Sequence, residues 1–186
     1  TDESAVTVGG IGVFVTSQTA NAIKFISPTA GASDDIVITN LTLLGSVQVA
    51  ELPATSHITV TEAGEPGNDS PATPGSLTLY TDFYGVTTAS DVDDYIAFTT
   101  PATSDRVDIV IEWTTDADLD IGVLTADGSA CAPLAGSCYS KMGTGANPET
   151  ATWRLAANTT YQFDVWVYDP GADPVTLYRI RTTKVK

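Results

Sequence analysis

A period-two repeat of apolar residues over residues 105–113 limits what this chain can fold into. Val107, Ile109, Ile111 and Trp113 fall on one face of this stretch. Successive side chains of a β-strand point to opposite faces, whereas a helix repeats every 3.6 residues. The alternation recurs over residues 160–168, with apolar positions at Tyr161, Phe163, Val165 and Val167. No ten-residue amphipathic stretch with the helical period occurs in the sequence. The chain is therefore predicted to be all-β.

The residue types agree with this prediction. The chain holds 29 Thr and 17 Val, but only 4 Lys, 6 Glu and 1 Met. Thr and Val are stiff at χ1 and suit a pleated surface, whereas Lys, Glu and Met favour helices. Further strands are predicted at 22–26, 35–43, 46–51, 56–61, 76–84, 94–100, 119–125 and 175–183. About ten short strands separated by turns predict an antiparallel β-sandwich or jelly roll.

One stretch, residues 63–75, is rich in Pro, Gly and Asn and is predicted to be a connector rather than a strand. It is a candidate domain boundary. Residues 1–62 alone are small for an independent sandwich. We therefore expect one sandwich domain over residues 17–186, preceded by an N-terminal arm over residues 1–16.

The N-terminal arm contains two apolar β runs joined by Gly9 and Gly10. An apolar strand on a glycine hinge can pair with its own sheet or complete the sheet of a neighbouring copy. The first alternative is an ordinary first strand, and the second is donor-strand exchange. The residues expected to mediate exchange are Val6, Val8, Ile11, Val13 and Val15.

The formal net charge is −15, with only 8 Lys and Arg. Nucleic acid and anionic membrane surfaces are therefore not expected as partners. The last eight residues are the exception, because they contain four basic residues, including Arg179 and Arg181, and no acid. A cationic end on an anionic body favours head-to-tail contacts between copies, although cations also guard ordinary edge strands.

Acidic residues cluster in predicted loops, where Asp outnumbers Glu in the whole chain by 17 to 6. Short loop carboxylates with few cations nearby indicate a bound divalent metal, and calcium prefers sites made only of oxygen. The alternative is a solvated acidic surface that keeps copies apart. The candidate ligands in these clusters are Asp116, Asp118 and Asp120; Asp91, Asp93 and Asp94; and Glu65, Asn68 and Asp69.

The Asp116 run begins like a calcium loop, but it is not an EF-hand. That loop needs Gly at its sixth position, where Ile121 stands, and Glu at its twelfth, where Asp127 stands.

Cys131 and Cys138 are the two cysteines, and their spacing fits neither a zinc knuckle nor a redox pair. We expect a disulfide that closes a small loop, which indicates an oxidising compartment or a hyperthermophile. No apolar run is long enough to span a membrane. The sequence is interpreted as a mature extracellular protein without a signal peptide.

Catalysis is not expected. His57 is the only histidine, and it falls on the polar face of its predicted strand. A Ser-His-Asp triad would have to use it. No carboxylate pair stands in a context that marks a glycosidase.

Trp166 and Tyr168 fall on the less apolar face of the strand over 160–168. Exposed aromatics mark interfaces, but these two would equally suit a second buried face.

Two family resemblances follow. Residues 62–183 resemble the bacterial pre-peptidase C-terminal type of β-sandwich in the segments Glu65-Pro-Gly-Asn-Asp-Ser-Pro-Ala-Thr, Asp91-Val-Asp-Asp-Tyr-Ile-Ala-Phe98, Ala117-Asp-Leu-Asp120 and Ala156-Ala-Asn-Thr-Thr-Tyr161. This chain carries Gly67 inside the usual Glu-Pro-Asn-Asp. The resemblance implies calcium ligands at Glu65, Asn68, Asp69, Asp91 and Asp94.

The whole chain also resembles the cannula-forming proteins of hyperthermophilic archaea. The segments that carry this resemblance are Phe25-Ile-Ser-Pro28, Leu52-Pro-Ala-Thr-Ser-His-Ile-Thr59, Trp113-Thr-Thr-Asp-Ala-Asp-Leu-Asp120 and Tyr168-Asp-Pro-Gly-Ala-Asp-Pro174. It implies a secreted structural subunit that assembles with copies of itself into extracellular tubes, using calcium and strand exchange. The alternative function is a calcium-stabilised secreted accessory module that binds a protein or glycan polymer.

Overall fold

A computed structural model gives the fold. It describes residues 3–19, 22–27, 36–41, 47–52, 60–62, 67–88, 90–103, 106–134, 136–140, 146–172 and 175–184. These residues form strands and no helix, which confirms the all-β prediction. The chain divides into two compact units, Thr1–Gly64 (unit 1) and Glu65–Lys186 (unit 2). The division falls inside the predicted connector 63–75, and it differs from the expected single sandwich over residues 17–186 with an arm over 1–16.

The described residues of unit 1 form seven strands in two sheets. The strands are β1 (Glu3–Val8), β2 (Ile11–Gly12), β3 (Phe14–Thr19), β4 (Ala22–Ser27), β5 (Ile36–Leu41), β6 (Val47–Leu52) and β7 (Val60–Glu62). One sheet has the order β2-β1-β5-β6 and the other the order β3-β4-β7. β1 pairs antiparallel with β5 of the same unit along its whole length. Donor-strand exchange between copies therefore stays a prediction.

The apolar cluster that the structure describes in unit 1 is small. Its buried members are Val6, Val8 and Phe25. Val13 and Val15 pack against them and remain half-buried.

Unit 2 contains the strands β8 (Gly75–Ser76), β9 (Phe83–Thr88), β10 (Asp93–Thr99), β11 (Arg106–Trp113), β12 (Asp118–Thr125), β13 (Glu149–Arg154), β14 (Thr160–Asp169) and β15 (Val175–Lys184). The β14 sheet has the order β12-β14-β10-β8, and the β11 sheet has the order β13-β11-β15-β9. All pairings in the two sheets are antiparallel except that of β8 with β10, which is parallel. Unit 2 is a β-sandwich, as the sequence predicted.

The apolar faces of the two sheets of unit 2 form one hydrophobic core. The alternating positions Ile109 and Ile111 of β11, and Phe163 and Val165 of β14, are fully buried in it. The indole of Trp113 is also buried, and its Nε1 donates a hydrogen bond to the carbonyl oxygen of Ala117 at 2.6 Å. The period-two pattern in the sequence therefore identified the core faces of the central strands.

The prediction of a strand over residues 76–84 was wrong in its extent. β8 ends at Ser76, a turn follows, and β9 begins at Phe83. Tyr80 adopts a positive φ of 71° in this turn, a conformation that breaks an extended strand.

Strand β13 was not predicted. It alternates like the others, but its first inward position is Glu149, a buried polar residue that interrupts the apolar pattern.

Cys131 and Cys138 form the expected disulfide. In the described part of the chain there is no helix long and apolar enough to cross a membrane.

Candidate metal centre

The first wall of the candidate site is the turn that opens unit 2. Gly67 has a φ of 67°, a left-handed conformation that glycine adopts without strain. The next residue, Asn68, is turned inward and is only 1% exposed. Its carbonyl oxygen accepts a hydrogen bond from the Tyr95 backbone N–H at 2.8 Å. Gly67, the residue by which this chain departs from the sequence pattern it resembles, thus immediately precedes a residue anchored to β10.

The second wall is the tight turn between β9 and β10. Thr88 and Asp91 exchange backbone hydrogen bonds of 3.1 and 3.2 Å, which fixes Asp91 at the start of β10. Along β10 the side chains alternate, so Asp94 faces the core while Asp93 faces the opposite side of the sheet. Only Asp94 of this adjacent pair therefore joins the site.

Three of the predicted ligands meet between these walls. Carboxylate oxygens of Asp69, Asp91 and Asp94 lie within 4.8 Å of one another, in an arrangement that could hold a metal ion. Their burial increases in that order, from an exposed Asp69 to a buried Asp94. The group is therefore open to solvent on one side and anchored in the protein on the other.

Asp94 is the buried end of this group. Its Oδ2 accepts a hydrogen bond from the hydroxyl of Tyr178 at 2.7 Å, and Tyr178 is fully buried. Burial raises the pKa of Asp94 to about 7; the hydrogen bond from Tyr178 opposes this rise, and the neighbouring Asp91 and Asp69 add to it. An ionised Asp94 is therefore costly here until a positive charge compensates it.

The buried oxygens of the site that have no hydrogen-bond partner among the described residues include Oδ1 of Asn68 and Oδ1 of Asp94. Buried polar atoms are nearly always satisfied by the protein, water or an ion, and each exception needs an explanation. Carboxylate and amide oxygens are the ligands that calcium prefers, and the residues described at this site offer no imidazole or thiolate. The donor set therefore fits a hard divalent cation.

Glu65, another predicted ligand, lies outside the described residues, as does His57. The run Asp116, Asp118 and Asp120 forms no metal-binding group in the part of the chain that the structure describes. Asp116 instead accepts a hydrogen bond from the Ala172 backbone N–H at 3.0 Å.

The predicted cationic end is engaged within unit 2. Arg179 and Arg181 both form ion pairs with Glu112, and Arg181 does so at 3.1 Å. These two residues therefore share one carboxylate across β11 and β15.

Tyr178 was missed by the sequence analysis. It stands in an apolar stretch of β15 and looks like an ordinary core residue. A glycine within a strand indicates that another group approaches closely, and Gly85 is the cross-strand partner of Tyr178 on β9. A side chain at Gly85 would overlap the Tyr178 ring, so the glycine leaves room for the tyrosine to reach Asp94.

The fold and site together define a β-sandwich module with a candidate site for a divalent cation. No family model matches the chain, and no curated protein matches it. The resemblance to cannula-forming proteins therefore gains no support from these comparisons.

Two solved structures are similar to part of the chain. The pre-peptidase C-terminal domain of a collagenase from Bacillus anthracis aligns with a TM-score of 0.46 and 16% identity, covering 59% of this chain and 94% of that domain. PliG of Aeromonas hydrophila, a periplasmic inhibitor of g-type lysozyme, aligns with a TM-score of 0.33 and 13% identity, covering 59% of this chain and 96% of that one. The first is of the domain type that residues 62–183 resemble in sequence.

Proposed function

We propose that this protein is a non-catalytic, extracellular β-sandwich protein whose unit 2 is stabilised by calcium. The observation that carries the proposal is the pair of unsatisfied buried oxygens on Asn68 and Asp94, beside the carboxylates of Asp69 and Asp91. A cation at this point would satisfy both oxygens and offset the repulsion among three carboxylates.

Calcium is the preferred ion for this site. Calcium takes six to eight oxygen ligands in flexible geometry, so water can complete a shell that begins with three carboxylates and one amide. Magnesium demands near-ideal octahedral geometry and gives up its water reluctantly. Zinc sites use mainly imidazole and thiolate.

An extracellular location supports the choice of ion. The Cys131–Cys138 disulfide fits an oxidising compartment. Extracellular modules bind calcium with dissociation constants of roughly 0.1–1 mM, because the ion is plentiful outside cells. The open side of the group, at the exposed Asp69, suits exchange with such a pool.

Calorimetric titration of the metal-free protein with calcium tests the proposal. We expect saturable binding that Asp94→Asn weakens by about 100-fold, because the substitution removes the most buried charged ligand. The matched control is Asp116→Asn, which alters an exposed carboxylate outside the group and should leave the affinity unchanged. Equal calcium affinity of Asp94→Asn and the unmodified protein would show that the ion binds elsewhere.

A second candidate function is self-assembly into extracellular tubes or filaments by exchange of β1 between copies. The observation that favours it is the incomplete burial of apolar side chains in the N-terminal arm. Ile11, Val13 and Val15 are only half-buried, although they belong to apolar β runs. A strand donated by a neighbouring copy would cover such surface, and a heterologous contact of this kind propagates.

Negative-stain electron microscopy of the full chain, with calcium and with chelator, tests this second function. We expect filaments or tubes with calcium and none after deletion of residues 1–15, because the deleted chain lacks the donor strand. The deleted protein should still show the melting transition of unit 2. Filaments that form normally without residues 1–15 would refute strand exchange, and single particles under both conditions would refute assembly.

A further inference from the structure

The outer face of the β14 sheet alternates acids and aromatic rings. Trp166 on β14 stands between Asp93 on β10 and Asp120 on β12, its cross-strand partners. In the next row, Asp164 stands beside Tyr95. Side chains at these positions point away from the core, because the residues between them are the buried ones.

Asp164 is the buried centre of this face. Tyr139 reaches over Gly122, the other cross-strand neighbour of Asp164, and donates a hydrogen bond to its Oδ2 at 2.9 Å. The carboxylate is only 5% exposed, and its Oδ1 has no hydrogen-bond partner among the described residues. Burial raises the pKa of Asp164 to about 6; the hydrogen bond from Tyr139 opposes this rise, and the nearby Asp93 contributes to it. No ion pair to Asp164 is formed by the described residues, so the face offers an uncompensated carboxyl group at its centre.

The surrounding rings indicate what kind of cation would suit this face. Trp166 is 39% exposed, Tyr168 is 59% exposed, and the two rings pack edge to face with centroids 5.7 Å apart. Both residues are therefore exposed, and the alternative that they belong to a second buried face of β14 is excluded. Aromatic faces attract guanidinium and ammonium groups, and carboxylates beside them strengthen the attraction. A side-chain cation therefore suits this surface better than a bare metal ion.

The positive charge that the structure describes in unit 2 lies on the other sheet. Every Arg and Lys that the structure describes in this unit belongs to a strand of the β11 sheet: Arg106, Arg154, Arg179, Arg181 and Lys184. Arg106 and Arg154 are direct cross-strand partners, and both are exposed. No ion pair to either guanidinium is formed by the residues that the structure describes. Like charges placed opposite each other on neighbouring strands are destabilising, so this pair favours an acidic partner.

We propose that copies of this protein associate head to tail, with the Arg106–Arg154 pair of one copy docking on the acidic and aromatic face around Asp164 and Trp166 of the next. The two surfaces lie on different sheets of one sandwich, so the contact is heterologous. A row of copies then keeps a free cationic surface at one end and a free acidic surface at the other. It requires neither calcium nor strand exchange, and so it stands independently of the functions proposed above.

Sedimentation velocity of the full chain, in low salt and in chelator, tests this contact. We expect association that grows with concentration and weakens as salt screens the charges. The double variant Arg106→Gln, Arg154→Gln should lower the association constant at least about ten-fold, because it removes the cationic partner. The matched control is Lys184→Glu, which changes the net charge by the same amount on the same sheet and should have little effect.

Complementation distinguishes a heterologous contact from a symmetric one. Trp166→Arg should also abolish association, because the chain's own guanidinium then neutralises the acidic face. Each of the two variants keeps one working surface, so an equimolar mixture should form dimers that do not grow. A monomeric unmodified protein at all concentrations, or a mixture that stays monomeric, would overturn the proposal. If Trp166→Arg melts below the unmodified protein, Asp164→Asn replaces it, since that change removes the buried charge and keeps the side-chain shape.

Discussion

Calcium at saturating concentration should raise the melting temperature of unit 2 by about 10 °C. An ion that binds only the folded state at about 100 times its dissociation constant stabilises that state by about 2.7 kcal/mol. In a domain of this size each kcal/mol shifts the melting temperature by about 4 °C. The ion would join the turn at Asp69 to the start of β10, two segments otherwise joined by the Asn68–Tyr95 hydrogen bond. Differential scanning calorimetry with calcium and with chelator measures the shift.

The Asp94→Asn variant separates the ion's contribution from that of the carboxylate. At the same calcium concentration its melting temperature should rise by no more than about 2 °C, because a 100-fold weaker site is then only half-occupied. In chelator it should melt at or above the unmodified protein, because burial raises the pKa of Asp94 to about 7 and an ionised group there is costly. Asparagine can still accept the hydrogen bond from Tyr178. A variant that melts much lower in chelator would mean that Asp94 supports the fold rather than the ion.

Gly85→Ala should destabilise unit 2 by about 3 kcal/mol, the cost expected when a core is overpacked and a buried side chain is displaced. A Cβ at position 85 would overlap the ring of Tyr178, which is fully buried and has no open side to move into. The displaced hydroxyl would also lose Asp94. Urea unfolding measures the free energy, and calcium titration of the same variant should show weaker binding.

A double-mutant cycle tests the cause of this effect. Tyr178→Leu removes the ring that Gly85→Ala would strike, so the alanine should cost far less in that background. The coupling energy should then be most of the single-variant cost. An equal cost in both backgrounds would show that the glycine is needed for its backbone and not for the space it leaves.

The central strands of unit 2 were predictable because their two faces differ in polarity. The predicted strand at 105–113 corresponds to β11 at Arg106–Trp113, and that at 160–168 to β14 at Thr160–Asp169. Where the contrast fails, so does the prediction, as at β13 with its buried Glu149. The chain divides into two compact units, whereas one sandwich over residues 17–186 was expected. Strand patterns alone do not say which strands share a core.

The candidate site could be predicted as a set of acidic loops but not as a group of ligands. Asp93 and Asp94 are identical in type, and only the phase of β10 sends one to the site and the other to the outer face. Asp118 and Asp120 show the same ambiguity in a run that forms no site among the described residues. Asn68 was included because it stands in the connector beside Glu65 and Asp69, and the resemblance implied the same residue. Asp164 lacked any signal because its partner Tyr139 is distant in sequence.

The parallel pairing of β8 with β10 has a mechanical consequence. A pulling force applied at the start of unit 2 acts first on its first residues. Along the chain, the inward Asn68 and the neighbouring Asp69 come before Gly75 and Ser76 of β8. β8 is only two residues long, so its ladder alone offers few bonds to resist peeling from β10. A cation bound by both Asp69 and Asp94 would link the first turn of unit 2 to β10, at a point that the force reaches before β8. The force needed to unfold unit 2 would then increase with the calcium concentration of the surrounding solution.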